Sequence, residues 1–148
     1  MLTFETAESE QYDAFMRLML DEAKGYLETA QKLMHMSMEE FDHLFRTLGR
    51  VYAIYDNKQC VGFYWIEERE SVLHVHALIL KQQFQGRGIG RQVLNMLAAE
   101  YNDRMKFIEL GVHESNGRAI RMYERNGFST VKRLDDLRFL IMRKQLQV

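Results

Sequence analysis

Three glycines within five residues separate a predicted β-strand from a predicted α-helix. The strand covers Val72–Leu80, and the glycines lie in the loop Gln85-Gly86-Arg87-Gly88-Ile89-Gly90. Apolar residues then recur every three or four positions over residues 89–101, which predicts a helix. The first backbone N–H groups of a helix have no partner inside it and carry partial positive charge, and glycines let an anion approach the backbone closely. The segment therefore predicts a phosphate-binding site, to which Arg87 and Arg91 add positive charge.

Two common phosphate-binding motifs do not fit this loop. A P-loop has four residues between its glycines and then Gly-Lys-Ser/Thr, but counting from Gly86 places Arg91 at the second glycine, and no lysine follows. The third glycine of a Rossmann fingerprint would also fall on Arg91, although Glu109 stands where a ribose-binding acid is expected. A nucleotide-binding enzyme of another kind remains an alternative.

The order of the predicted elements indicates a mixed α/β fold. Several consecutive strands come before the part in which strands and helices alternate, which favours a mixed sheet with helices on its faces. The length, 148 residues, fits a single domain over residues 1–148. Strands are predicted at 2–6, 51–55, 61–67, 72–80, 107–112, 130–134 and 139–143, and helices at 9–24, 37–48, 89–101 and 116–126. Ser9 is the expected cap of the first helix and Gly25 its expected stop, and Ser37 with Glu40 forms a capping box for the second. The segment Asp56-Asn57-Lys58 predicts a hairpin turn between the second and third strands.

The nearly balanced charge of the chain excludes a strong overall positive potential that would attract polyanions. Lys and Arg together number 20 and Asp and Glu 21, so the formal net charge is -1. Neither nucleic acid nor a membrane is therefore expected as a partner. Cys60 is the only cysteine, which excludes an internal disulfide and a zinc site built from several cysteines. Residues 1–7 lack the pattern of a signal peptide, so we expect a soluble, cytoplasmic protein.

A second block of residues follows the glycine loop. It reads Asn116-Gly117-Arg118-Ala119-Ile120-Arg121-Met122-Tyr123-Glu124-Arg125-Asn126-Gly127-Phe128. Together with the loop, it resembles the two signature blocks of the GNAT superfamily of N-acetyltransferases, in the same order and separation. The resemblance is strongest over residues 71–128 and implies the GNAT fold, an α/β (α+β) fold with a mixed, mostly antiparallel central sheet flanked by helices on both faces.

The resemblance also implies a co-substrate, acetyl-CoA, and the residues that hold it. The glycine loop would bind the phosphates, and the backbone of the strand before it would bind the pantetheine arm and polarise the acyl carbonyl. No metal is expected. The implied contacts are Leu78, Ile79, Leu80, Gln85, Gly86, Arg87, Gly88, Ile89, Gly90 and Asn116.

Transfer of an acyl group from a thioester to an amine needs a proton donor for the departing sulfur. Tyr123 lies seven residues after Asn116, two helical turns along one face. The family resemblance gives a tyrosine at this position the role of general acid. A tyrosine packed in the core with its hydroxyl satisfied is the alternative.

The same reaction needs a base, because alkylamines are mostly protonated at neutral pH. His74 and His76 share one face of a strand, and an imidazole titrates near pH 6.5. The segment Leu73-His74-Val75-His76-Ala77-Leu78 is similar to the paired-histidine strand of serotonin-type arylalkylamine N-acetyltransferases. Histidines without a catalytic role and a His-x-His metal site are alternatives. Many GNAT relatives carry a glutamate where this chain has Gly111, so Glu67 and Glu68 are other candidate bases.

The expected function is therefore acetyl transfer from acetyl-CoA to a primary amine, with a small molecule as the favoured acceptor. An N-acetyltransferase that acts on protein N-termini or lysines, and a non-catalytic acyl-CoA-binding module, are alternatives. Tyr26, Tyr64 and Trp65 are candidates to line the acceptor site. Members of the family often pair through sheet edges, so the resemblance allows a homodimer.

Overall fold

The computed structural model describes residues 1–147, which form seven β-strands and five α-helices. Two short 3₁₀ turns, Gln82–Phe84 and Asp135–Leu137, lie outside these elements. No helix in the described residues is both long and apolar enough to cross a membrane. In chain order the elements are β1 (Leu2–Thr6), α1 (Ser9–Glu22), α2 (Lys24–Met34), α3 (Met38–Thr47), β2 (Arg50–Asp56), β3 (Gln59–Arg69), β4 (Val72–Leu80), α4 (Ile89–Tyr101), β5 (Phe107–His113), α5 (Gly117–Arg125), β6 (Phe128–Leu134) and β7 (Phe139–Gln145).

Local sequence signals account for several of the element ends. Ser37 caps α3 as predicted: its hydroxyl accepts a hydrogen bond from the Glu40 N–H, and the Glu40 carboxylate accepts one from the Ser37 N–H, each at 3.1 Å. The predicted turn between β2 and β3 is also confirmed, with Asn57 and Lys58 both in the left-handed region. Helix α1 begins at Ser9, but its cap is Glu8 and not Ser9.

The sequence prediction omits α2. The predicted helix over residues 9–24, stopped by Gly25, is wrong at its end, because α1 ends at Glu22 and a second helix starts at Lys24. Gly25 lies in the first turn of α2, where an added Cβ would meet no atom within 4 Å. The helix is held by burial of Leu27 and Ala30, three residues apart on one face.

The seven strands are hydrogen-bonded in the order β1-β2-β3-β4-β5-β7-β6. Strands β4 and β5 are parallel, and the pairs β1/β2, β2/β3, β5/β7 and β6/β7 are antiparallel. A two-residue turn joins β3 to β4, so these neighbours also run in opposite directions. The expected mixed, mostly antiparallel sheet is thus confirmed.

The contacts divide the chain into two units. The first unit comprises Met1–Ile66 and Ala77–Arg87, and the second comprises Glu67–His76 and the residues from Gly88 onward. In the first unit, the apolar faces of α1, α2 and α3 form one core with residues of β2, β3 and β4. The buried apolar residues of the second unit come mainly from alternate positions of β5 and one face of α4.

Candidate functional site

The glycine loop leads directly into α4, and its backbone conformation requires glycine. Gly86 and Gly88 have φ values of 77° and 80°, in the left-handed region that L side chains rarely adopt. Gly88 is the N-cap of α4, and no side chain in the described residues caps this helix. The first N–H groups of α4 therefore lack both an intrahelical partner and a side-chain partner. An anion at this position would meet those groups and the positive end of the helix dipole.

The side chain of Gln85 anchors the start of the loop. Its Nε2 donates to the Leu80 carbonyl oxygen at 3.0 Å and to Glu22 Oε1 at 2.7 Å. The guanidinium of Arg87 lies over the Phe84 ring, 5.4 Å from its centroid, while Phe84 itself is buried. The loop is thus tied to the end of β4 and the end of α1, and Arg87 remains exposed.

The last residues of β4 have backbone groups that its ladder with β5 does not use. This ladder covers Val72–Val75, whereas β4 continues to Leu80. At its other edge, β4 lies very close to β3: a Cβ added to Gly62 of β3 would lie 2.2 Å from the Ile79 carbonyl oxygen of β4. The Ile79 carbonyl therefore faces β3, and the carbonyls of Leu78 and Leu80 point the other way. Of these two, the Leu80 carbonyl already accepts from Gln85 Nε2.

In the second unit, α5 carries the predicted proton donor. Asn116 caps this helix through its Oδ1, which accepts the Ala119 N–H at 3.2 Å. Tyr123 packs against Phe128 with ring centroids 5.8 Å apart. Its hydroxyl makes no hydrogen bond to any of residues 1–147. Burial raises the pKa of Tyr123 to about 12, so the hydroxyl keeps its proton at neutral pH.

His76 lies in a charged, half-buried cluster with two residues of β3. Its Nε2 is 2.8 Å from Glu67 Oε1, which also accepts from Arg69 Nη2 at 2.7 Å. Burial lowers the pKa of His76, against the opposing effect of Glu67. Burial also acts to raise the pKa of Glu67, but the hydrogen bonds from Arg69 and His76 outweigh it, and the pKa of Glu67 is lowered. The side chains therefore favour a neutral imidazole beside an ionised carboxylate.

His74 has its own acidic neighbour one strand further on. The two histidine rings are nearly parallel, with centroids 6.0 Å apart. Glu109, opposite His74 in the β4/β5 ladder, places Oε1 3.7 Å from His74 Nδ1 and accepts from Arg143 Nε at 2.5 Å. Burial lowers the pKa of His74 more than Glu109 raises it. The predicted pair of histidines thus lies together, with a carboxylate beside each.

Two parts of this arrangement were not predicted. The sequence names Glu67 only as an alternative base, and not as the partner of His76; the alternation of strand residues was the one signal that could have paired them. At Gly111, an added Cβ would lie 2.3 Å from the Phe139 ring. The Phe139 ring therefore fills the space beside Gly111, the position at which, by the resemblance described above, many GNAT relatives carry glutamate.

The proposed acceptor-site aromatics need correction. Trp65 is 1% exposed, packs between Phe41 and Phe45, and donates from Nε1 to the Leu48 carbonyl at 2.8 Å. Tyr64 is 3% exposed and stacks on Tyr52. The expectation that these two side chains line an open site is wrong, because both lie in packed aromatic clusters.

Among residues 1–147, no three His, Cys, Asp or Glu side chains are grouped so that they could hold a metal ion.

Comparison with known proteins points to one family. The sequence pattern of the Acetyltransferase (GNAT) family matches residues 12–128. A mycothiol acetyltransferase of Propionibacterium freudenreichii subsp. shermanii is 34% identical over 76 residues, 48% of this chain and 24% of that protein. An N-acetyltransferase of Methanocaldococcus jannaschii, named as uncharacterised, is 36% identical over 81 residues, 49% of this chain and 35% of that protein. The matched part therefore spans well under half the length of these curated relatives.

The fold has a close counterpart among solved structures. A GNAT family acetyltransferase from Elizabethkingia anophelis, with acetyl-CoA bound, superposes with a TM-score of 0.73. The sequences are 18% identical, and the superposition covers 98% of both chains. At that identity the likeness concerns the fold alone.

Proposed function

This chain belongs to the GNAT family of acetyltransferases, and we propose that it is an N-acetyltransferase that transfers the acetyl group of acetyl-CoA to a primary amine. The observation that carries the proposal is the loop of residues 85–90. It places two left-handed glycines directly before the uncapped N-terminus of α4. Acetyl-CoA offers this site phosphates for the helix end, and it supplies a thioester carbonyl and a sulfur leaving group for the reaction.

The residues present fit the phosphates and the pantetheine arm of such a co-substrate. Open space surrounds the Cα of Gly88, since an added Cβ would meet no atom within 4 Å. Backbone N–H groups there would bind phosphate oxygens, with Arg87 and Arg91 contributing charge. The pantetheine arm would lie along Leu78–Leu80 like an added β-strand. It would be held by backbone N–H and C=O groups of β4 that do not pair with β5.

His76 is proposed as the base. Because burial lowers its pKa, the imidazole is neutral at physiological pH and can take a proton from the ammonium form of the acceptor. The amine nitrogen then has a lone pair with which to form the new C–N bond. His74, the neighbouring histidine, is proposed to assist in removing this proton.

Tyr123 is proposed as the acid. The C–S bond breaks as the C–N bond forms, and negative charge develops on the sulfur. The Tyr123 hydroxyl is protonated, because burial raises its pKa to about 12, and no hydrogen bond to residues 1–147 diverts it. It donates first a hydrogen bond and then its proton to the sulfur, and it regains a proton that the attacking nitrogen loses.

The co-substrate is tested by thermal unfolding with competing ligands. Acetyl-CoA at 100 times its dissociation constant is expected to add about 2.7 kcal/mol to the free energy of unfolding, because it binds only the folded chain. ATP and NAD at the same concentration are expected to add much less. Stabilisation by ATP or NAD without stabilisation by acetyl-CoA would overturn the proposal in favour of another nucleotide-binding enzyme.

The acceptor is tested by release of free thiol in a panel of primary amines, polyamines, amino acids and peptides. We expect the highest kcat/KM with a small amine. Turnover of peptides alone would assign the enzyme to protein acetylation. Stabilisation by acetyl-CoA with no thiol release from any acceptor would instead indicate a non-catalytic acyl-CoA-binding module.

A further inference from the structure

We propose that Glu67 is a positioning residue that holds His76 with its proton on Nε2, so that Nδ1 is the nitrogen that accepts the proton of the acceptor amine. The inference rests on the proposed function, in which His76 is the base. It adds a residue of β3 to the site, and it specifies which ring nitrogen acts.

The contact between the two side chains is short and shielded. His76 Nε2 and Glu67 Oε1 are 2.8 Å apart, and the side chains are 14% and 15% exposed. Arg69 binds the same carboxylate with two nitrogens, Nη2 at 2.7 Å from Oε1 and Nε at 3.3 Å from Oε2. This fork of hydrogen bonds fixes the orientation of the carboxylate towards the ring.

The chemistry of the carboxylate decides the tautomer. With Arg69 bound, Glu67 is ionised, and an ionised carboxylate can only accept hydrogen bonds. The contact at 2.8 Å therefore requires the hydrogen to be on Nε2 of His76. A neutral imidazole with its hydrogen on Nε2 has its basic lone pair on Nδ1.

The same carboxylate also favours the product of proton transfer. Once Nδ1 takes a proton, the imidazolium lies beside the negative charge of Glu67, which stabilises it. Without the carboxylate, the positive charge of Arg69 would still oppose protonation of the ring. His74 does not have an equivalent bond, because its Nδ1 is 3.7 Å from Glu109. Glu67 and Arg69 from β3 act directly on the charge of His76, and the ring of His74 from β4 lies parallel to it. Glu109 from β5, bonded to Arg143 from β7, lies beside His74.

The decisive variant is Glu67→Gln, which keeps the size of the side chain and removes the charge. We expect kcat to fall roughly tenfold, a part of the 10²–10⁴ that a general base contributes, with the KM for acetyl-CoA unchanged. Because the imidazolium loses its stabilising charge, the acid limb of the pH–rate profile should move about one pH unit lower. The matched control is Glu70→Gln in the exposed turn between β3 and β4, which should leave the profile in place.

A long-range ¹H–¹⁵N correlation spectrum of the histidine rings at pH 8 tests the tautomer without any turnover. The parent is expected to show His76 protonated at Nε2, and Glu67→Gln a loss of this single tautomer. A parent spectrum with the hydrogen on Nδ1, or an unshifted pH profile in Glu67→Gln, would overturn the inference. If no amine is acetylated, the proposed function fails together with the role of Nδ1 as base, while the spectrum still decides whether Glu67 sets the tautomer.

Discussion

Replacing Tyr123 by phenylalanine is expected to lower kcat for thiol release by roughly 10²- to 10³-fold, within the range of general acid catalysis. The dissociation constant of acetyl-CoA should change by less than about twofold, since the lost interaction forms only as charge develops on the sulfur. Stopped-flow detection of thiol release and equilibrium titration with the co-substrate measure the two quantities separately.

Tyr123→Phe is expected to alter the rate of the reaction without altering the stability of the fold. It removes one oxygen and leaves the packing of the ring against Phe128 intact. Because the hydroxyl makes no hydrogen bond to residues 1–147, its removal leaves no protein group unpaired. We therefore expect the free energy of unfolding to change by less than about 1 kcal/mol.

Tyr12→Phe is the matched control in the first unit. The Tyr12 ring packs edge-on against Phe45, and its hydroxyl likewise has no hydrogen bond among the described residues. The same atom is thus removed at a site with no proposed role, and kcat should stay at the parental value. A Tyr123→Phe enzyme as fast as the parent would assign the proton donor to another group or to water.

The sequence-based predictions succeed where the signal is local. The capping box at Ser37, the left-handed turn at Asn57 and the glycine loop before α4 each depend on neighbouring residues, and all are present. The sequence prediction omits α2 because glycine, here Gly25, is common just after the end of a helix, whereas the burial of Leu27 and Ala30 that favours a helix here is a tertiary contact.

Side-chain partnerships were less predictable than elements. The strand period places His74 and His76 on one face, but it does not reveal that the carboxylate of Glu67 meets His76. That contact depends on the register between β3 and β4 and on the orientation that Arg69 gives to the carboxylate. Similarly, Gly62 lies in the middle of a buried strand, and no local pattern shows that a close approach of β4 requires glycine there. A glycine in a strand can also simply weaken that strand.

Gly62→Ala is expected to reduce the free energy of unfolding by about 3 kcal/mol, at the upper end of the usual cost of overpacking. The new Cβ would lie 2.2 Å from the Ile79 carbonyl oxygen and 2.9 Å from the Leu80 Cα. Both are backbone atoms of β4, so no side chain can rotate away, and the two strands must separate. For a chain of this size, the melting temperature should fall by roughly 10 °C.

The separation should also affect function, since the displaced residues belong to the segment proposed to hold the pantetheine arm. We expect a higher KM for acetyl-CoA in folded Gly62→Ala protein at 20 °C, with the KM for the amine less affected. Gly25→Ala is the control, because its Cβ would meet no atom within 4 Å and alanine favours helix over glycine. It should raise stability by up to about 1 kcal/mol without changing either KM. Equal melting temperatures for Gly62→Ala and the parent would contradict this prediction. They would mean that β3 and β4 tolerate a wider spacing and that the close contact of Gly62 with Ile79 does not determine the conformation of residues 78–80.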